Sequence, residues 1–172
     1  VRTISQLNTP PAQRHPIQTY VIEKRGSVIK EIIQRELARN GQVFYLYNNI
    51  SNIYGVAENL RLLFPDHQIA VAHGRMSREE IEQTMLEFEQ RKYDILVCTT
   101  IIETGLDIAN ANTMIIENAD HFGLSQLYQI RGRVGRRDQI AYCYLMVQPH
   151  KKLTEEATKR LKSIKEFTQL GS

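Results

Sequence analysis

Little in this chain points to a membrane, a metal or an oxidising compartment. No apolar run approaches the roughly 20 residues that a membrane-spanning helix needs, and Val1 opens no recognisable signal peptide. An initiator methionine is also lacking, so the chain is expected to be a piece of a larger protein. Only two cysteines occur, Cys98 and Cys143, both inside apolar, strand-like runs (ILVC and AYCYLMV). The expected state is a buried, reduced thiol in a cytoplasmic protein, with a disulfide or a redox role as the alternative. Without further ligands at suitable spacing a zinc site is excluded, and no metal site is expected. An excess of one charge is lacking too: 22 Lys+Arg stand against 19 Asp+Glu, a formal net charge of +3. That balance does not by itself identify a nucleic-acid binder, so any basic function has to come from local clustering.

What is present is an ordinary globular composition. The 172 residues are 42% hydrophobic and 24% charged, a size that suits one domain with one core. The first 16 residues read as loop, because Pro10, Pro11 and Pro16 discourage helix. QTYVIE (18–23) alternates like a short strand, and Val28, Ile32, Ile33 and Leu37 recur at helical spacing until Asn40-Gly41 stops the helix. QVFYLYN (42–48) predicts a strand, 52–64 a helix ended by Pro65-Asp66, and QIAVAH (68–73) a strand. Ser77 with Glu80 has capping-box spacing and opens a helix whose Ile81, Met85 and Phe88 face inward. YDILVCT (93–99) and NTMIIEN (112–118) are nearly continuous apolar runs, as in strands buried on both faces of a parallel sheet. LSQLYQIRG (124–132) predicts a helix, AYCYLMV (141–147) a strand, and Thr154 caps a last helix. Strands alternating with helices in this way predict an α/β domain with a mostly parallel sheet covered on both faces.

Ligands of such sheets bind outside the carboxyl ends of the strands, so the loops after them are where chemistry is expected. Three loops carry polar residues directly after buried-looking strands: Tyr47-Asn48-Asn49, His73-Gly74-Arg75-Met76, and Thr99-Thr100 leading to Glu103-Thr104-Gly105-Leu106-Asp107. Hydroxyls, small residues and free amides at a helix N-terminus suit phosphate oxygens, and His73-Gly74 before the Ser77 cap is such a place. The same residues also read as plain caps and turns. The stretch QIRGRVGRR (129–137) holds Arg131, Arg133, Arg136 and Arg137. It reads as a solvated basic face, as arginines paired with Asp107, Glu117, Asp120 or Asp138, or as a phosphate site. The spacing favours the last: Gln129, Arg133 and Arg136 fall at i, i+4 and i+7 of a helix, and a guanidinium fork fits a phosphoryl group. These arginines cannot hold ATP alone, since no GxxxxGK[ST] loop and no strand ending in a paired-acid DE motif exist in the chain.

Together, several motifs resemble the second RecA-like lobe of superfamily-two helicases and translocases. QVFYLYNNI resembles the family's motif IV, VAHGRMS motif IVa, LVCTTIIETGLDIANANTMI motif V and QLYQIRGRVGRR motif VI. The motif VI pattern Q-x-x-G-R-x-x-R falls on Gln129, Gly132, Arg133 and Arg136. Within the superfamily, TTIIETGLDIANANT and ADHFGLSQLYQIRGRVGR look like the subgroup formed by transcription-repair coupling factors and the fork-remodelling RecG translocases. ISQLNTPPAQR and the compact stretch from Asn49 to Gln68 favour the coupling factors. The likeness covers nearly the whole chain.

The resemblance implies a three-layer RecA-like (P-loop NTPase-like) fold and the helicase C-terminal lobe of an ATP-dependent double-stranded DNA translocase. Residues 1–16 would enter from the first motor lobe, 17–150 would form the lobe, and 151–172 would begin a helical translocation hairpin. It implies Arg136 as arginine finger, with Arg133 and Gln129 assisting and Gly105 and Asp107 at the nucleotide edge. Asn48, His73, Gly74, Thr99, Thr100 and Glu103 would lie along the DNA backbone, and Arg160 would relay nucleotide state to DNA. ATP and Mg2+ would be held mainly by the first lobe in cis, and RNA polymerase and excision-repair proteins would be met through other domains of the parent. The isolated chain would hydrolyse almost no ATP. The departure is that the chain stops at Ser172, short of a second hairpin helix. Rival readings are a RecG-like fork remodeller and a non-enzymatic module that holds nucleic-acid phosphates with its arginines.

Overall fold

The computed structural model describes residues 17–99, 111–135 and 139–169, with side chains as far as Lys165. The linker expected over residues 1–16 lies outside the described residues. In chain order the elements are β1 (Ile17–Glu23), α1 (Gly26–Ala38), β2 (Val43–Leu46), α2 (Ile53–Leu63), β3 (Ile69–Ala72), α3 (Arg78–Glu89), β4 (Ile95–Cys98) and β5 (Thr113–Ile116). A 3-10 turn (Ala119–His121), α4 (Leu124–Arg131), β6 (Ala141–Val147) and α5 (Glu155–Gln169) complete the order. The inner strands are shorter than their apolar runs because the flanking residues turn away as loops once the sheet ends.

The six strands form one sheet in the order β1-β6-β5-β2-β4-β3, and every pair is parallel. The sequence predicts a mostly parallel sheet; among the described residues it is wholly so. Period-two alternation sends Phe44, Leu46, Leu96, Cys98, Met114 and Ile116 to one face, where they meet Phe88 of α3, Leu127 of α4 and Leu161 of α5. Val43, Tyr45, Ile95, Val97 and Ile115 go to the other face, against Ile29 and Ile33 of α1 and Ile53 and Leu60 of α2. Both faces are covered, so β2, β3 and β4 are apolar and buried along their whole length. The result is the three-layer RecA-like arrangement.

The cysteines take the first of their two readings. Both are free and buried. Cys98 lies on β4 and Cys143 on β6, with β2 and β5 between them. Three strand spacings, about 14 Å, exceed the reach of a disulfide. Burial pushes the Cys98 thiol well up and that of Cys143 to about 12, so neither is a thiolate nucleophile at neutral pH.

The amino edge of the sheet is closed by a buried carboxylate. Glu36, at the end of α1, accepts from Arg39 Nε at 3.0 Å and Nη2 at 2.7 Å, and from Thr113 Oγ1. Its neighbour across the turn has to be Gly41, where a Cβ would stand 1.5 Å from Glu36 Oε2. Arg39 also donates to the Ile140 carbonyl and lies over the Tyr142 ring.

Candidate functional site

After β2 the chain first moves outward to β3 and β4, then crosses back to β5 and β6 on the other side. The carboxyl ends of β2 and its neighbours therefore form the switch point where open α/β sheets bind ligands. A cleft of about 450 Å³ lies there, lined by Asn48, Asn49, Ile50, Ser51, Gly74, Arg75 and Thr99. Three loops far apart in sequence build it, and hydrogen bonds fix them to one another. The Gly74 amide donates to Thr99 Oγ1 at 3.1 Å and the Thr99 amide to the Ala72 carbonyl at 3.2 Å. The Tyr47 amide donates to the Cys98 carbonyl at 2.8 Å. With Oγ1 used as acceptor, Thr99 keeps its own O–H as a donor.

His73 is buried beside the cleft. Its Nδ1 accepts from the Arg75 amide at 3.2 Å, and its Nε2 lies 2.9 Å from Tyr54 Oη. The two rings meet edge to face with centroids 5.6 Å apart. His73 shapes the loop; Gly74 and Arg75 face the cleft.

Two helices begin at this edge, and they begin differently. Ser77 caps α3 with a full capping box: Oγ accepts from the Glu80 amide at 3.1 Å, and Glu80 Oε1 accepts from the Ser77 amide at 3.0 Å. The bonds from Ser77 hold the Glu80 carboxyl below the usual range. Of the amides expected to await phosphate after His73-Gly74, those of Ser77 and Glu80 are thus bonded within the cap. Asn52, at the N-cap of α2, makes no side-chain cap bond. Asn49 instead folds back on its own loop, with Oδ1 accepting from the Ser51 amide at 3.1 Å and from Ser51 Oγ at 2.7 Å. The cluster Asn48-Asn49-Ile50-Ser51-Asn52 carried that turn signal; its link to an open helix start was not visible in the sequence. Asn49 and Arg75 lie in loops that the sequence singles out but outside the set expected along the DNA backbone, and Ser51 is not singled out at all.

The arginine stretch corrects its helical reading. α4 ends at Arg131 with Gly132 as its C-cap, so Arg133, Val134 and Gly135 do not continue the face of Gln129. Gly135 has φ +110, which no helix accepts. Its amide donates to the Ala111 carbonyl at 2.7 Å, and Val134 bridges Ala111 in parallel. The stretch is thereby laid along the segment that leads into β5, at the amino edge of the sheet. Gln129 is exposed and Arg133 partly so, both away from the cleft. Arg131 turns inward and is 8% exposed, with its guanidinium 5.8 Å from the Tyr128 ring centre. Arg136, Thr100, Glu103, Gly105 and Asp107 lie outside the described residues. Among the described residues no group of three or more His, Cys, Asp or Glu could hold a metal ion, and no helix is long and apolar enough to cross a membrane.

Arg160, expected in a coupling role, reaches from α5 to the turn after β5. Its Nε donates to the Phe122 carbonyl and its Nη2 to the Asp120 carbonyl, each at 3.0 Å. Lys151 Nζ donates to Asp120 Oδ2 at 2.6 Å. On the neighbouring strand ends Glu117 accepts from Tyr45 Oη and lies 2.9 Å from Lys24 Nζ. Burial, with Glu117 adding to it, holds the Tyr45 hydroxyl far above the ordinary tyrosine range, so it is a donor at any working pH.

Comparison with known proteins agrees with the fold. Residues 23–138 match the family described as Helicase conserved C-terminal domain. The whole chain is 59% identical to a segment of the transcription-repair-coupling factor of Staphylococcus aureus and 58% identical to that of Staphylococcus haemolyticus. It spans about 15% of the length of those relatives. Among solved structures, RecG bound to a three-way DNA junction is 39% identical with TM-score 0.74, covering 92% of this chain and 22% of that one. The C-terminal domain of the DEAD-box protein Dbp5 has TM-score 0.64 at 14% identity, covering 88% of this chain and 85% of that one, a likeness of fold alone.

Proposed function

The chain belongs to the helicase conserved C-terminal domain family, and from that membership we propose that it is the second motor lobe of an ATP-dependent double-stranded DNA translocase. In this reading the parent protein couples transcription to nucleotide excision repair by displacing stalled RNA polymerase. The observation that carries the motor reading is the cleft at the switch point, whose donors come from three separate loops. Identity over the full chain to transcription-repair-coupling factors supports the choice of parent. Residues 1–16 enter from the first lobe, 17–150 make the motor lobe, and 151–172 begin the translocation hairpin.

The two edges of the sheet divide the work. Asn48, Gly74 and Thr99 at the carboxyl edge meet the DNA backbone, His73 shapes their loop, and Thr100 and Glu103, outside the described residues, join them in this reading. Such contacts go to phosphate, so binding is sequence-independent and weakens with salt. Gln129 and Arg133 at the amino edge, joined in this reading by Arg136, Gly105 and Asp107 from outside the described residues, serve a nucleotide held by the first lobe. This chain has no GxxxxGK[ST] loop, so ATP and magnesium are assigned chiefly to that lobe. Guanidiniums offered from this side stabilise charge on the transferring phosphoryl group and close the cleft between lobes while ATP is intact. Arg160 passes the change to the hairpin. RNA polymerase and repair proteins are met by other parts of the parent.

The test uses the longest parent chain, comparing DNA-stimulated ATP turnover and ATP affinity for the wild type and Arg136→Ala. Turnover should fall by roughly a thousandfold or more, with affinity little changed. Unchanged turnover would remove the central residue of the motor reading. A RecG-like fork remodeller is the second reading, favoured by the likeness to the junction-bound RecG structure. A preference of the parent for branched DNA over DNA carrying a stalled polymerase would select it.

A further inference from the structure

Tyr54 sits in the first turn of α2, three residues after Ser51, and is 54% exposed. Its hydroxyl lies 2.9 Å from Nε2 of His73, the residue before Gly74. Ser51 and Gly74 both line the cleft, so the Tyr54–His73 pair stands at its margin. The direction of the hydrogen bond between them follows from a third group. The Arg75 amide donates to His73 Nδ1 at 3.2 Å, and a backbone amide can only donate. Nδ1 is therefore unprotonated, and the ring of this neutral histidine carries its proton on Nε2. Nε2–H then donates to Tyr54 Oη, which leaves the phenolic O–H with its hydrogen to give.

We propose that Tyr54 is a phosphate-contacting residue of the cleft, its hydroxyl turned by His73 so that the O–H is donated to a backbone phosphate oxygen of bound DNA. The inference rests on the reading of the cleft as the DNA-backbone site. A neutral donor adds a directed bond without adding charge, and its hydrogen is oriented before DNA arrives. The chain Arg75 amide to His73 to Tyr54 also links loop shape to ligand contact: a loop that moves Arg75 loses the acceptor bond that fixes the ring, and with it the aim of the hydroxyl.

The experiment is an NMR titration of the 172-residue chain with a short DNA duplex at several low salt concentrations, for wild type, Tyr54→Phe and Arg75→Ala. Tyr54→Phe keeps the ring against His73 and should weaken binding roughly three- to tenfold, the worth of one neutral hydrogen bond. Its slope of log affinity against log salt should match the wild type, because no counterion is released by a hydroxyl. Arg75→Ala should weaken binding and lower the slope by about 0.9. The His73 ring nitrogens, read by 15N shifts, should show Nε2–H and a bare Nδ1. If Arg75→Ala acts as stated and Tyr54→Phe binds like the wild type, the tyrosine proposal fails and the cleft reading stands. If both variants bind like the wild type, the cleft reading itself fails. A proton on Nδ1 would overturn the orientation argument whatever the affinities.

Discussion

At the amino edge of the sheet Glu36 is matched by three donated hydrogen bonds, two from Arg39 and one from Thr113. At the carboxyl edge Asp120 is also buried, yet its Oδ1 has no hydrogen-bond partner among the described residues. The helix starts repeat the contrast within one edge: α3 is closed by Ser77 and Glu80, while α2 beside the cleft lacks a side-chain cap. Satisfied polar groups fix a single structure. Open polar groups, the Asp120 acceptor and the uncapped amides of α2 alike, cost stability and are retained where something else is to be bound. One sheet thus carries a closed edge that holds α1, β2 and β5 in place and an edge that leaves polar groups open.

The largest effect that would sharpen this contrast is at Glu36. Glu36→Ala leaves Arg39 and Thr113 without their acceptor and should cost about 3 kcal/mol in chemical denaturation. Asp120→Asn, at the other edge, should cost less than about 1.5 kcal/mol, because one oxygen already lacks a donor and Lys151 is partly in water. Equal costs would break the comparison.

Between the edges, the interior gives a pH signature. Cys143 has an ordinary value of 9.0 and burial pushes it up to about 12. Above pH 9 the unfolded chain releases this proton while the native chain keeps it until about 12. Stability is therefore fully present below 9 and falls as pH rises through that window, by up to about 1.4 kcal/mol per pH unit. Burial raises Cys98 in the same direction. Denaturation at pH 8 and pH 10 should show the fall, and Cys143→Ala should make it shallower while Cys98 keeps its share. An unchanged slope would mean that the thiol is not held neutral by the fold.

The smallest expected effect is at the cap. Ser77→Ala should lower stability by about 1 kcal/mol and leave duplex affinity unchanged, because its bonds serve α3 alone. A loss of DNA affinity in this variant would place the α3 start inside the site and erase the distinction between the two helices.

The alternation of apolar runs with helical periodicity was enough to predict an α/β domain, and the unbroken character of ILVC and TMII announced strands covered on both faces. Ser77 with Glu80 declared its cap by spacing alone, since a capping box is made within four residues. The same locality misled at QIRGRVGRR. The helical spacing of Gln129, Arg133 and Arg136 was real in the sequence, but Gly135 adopts a positive φ and its amide goes to Ala111, so the chain leaves the helix after Arg131. Nothing local distinguished Arg131, turned into the protein, from Arg133, left near its surface.

What the amino acids decided by themselves was each element and its inward face, because backbone propensity, capping and side-chain period act over a few residues. The strand order, the meeting of Gly74 with Thr99, and the Tyr54–His73 pair were decided only by the tertiary structure. Those contacts join residues 25 and 19 positions apart, and their existence depends on which strands lie side by side. That choice is made by the packing of both faces at once, and no short stretch of the sequence contains it.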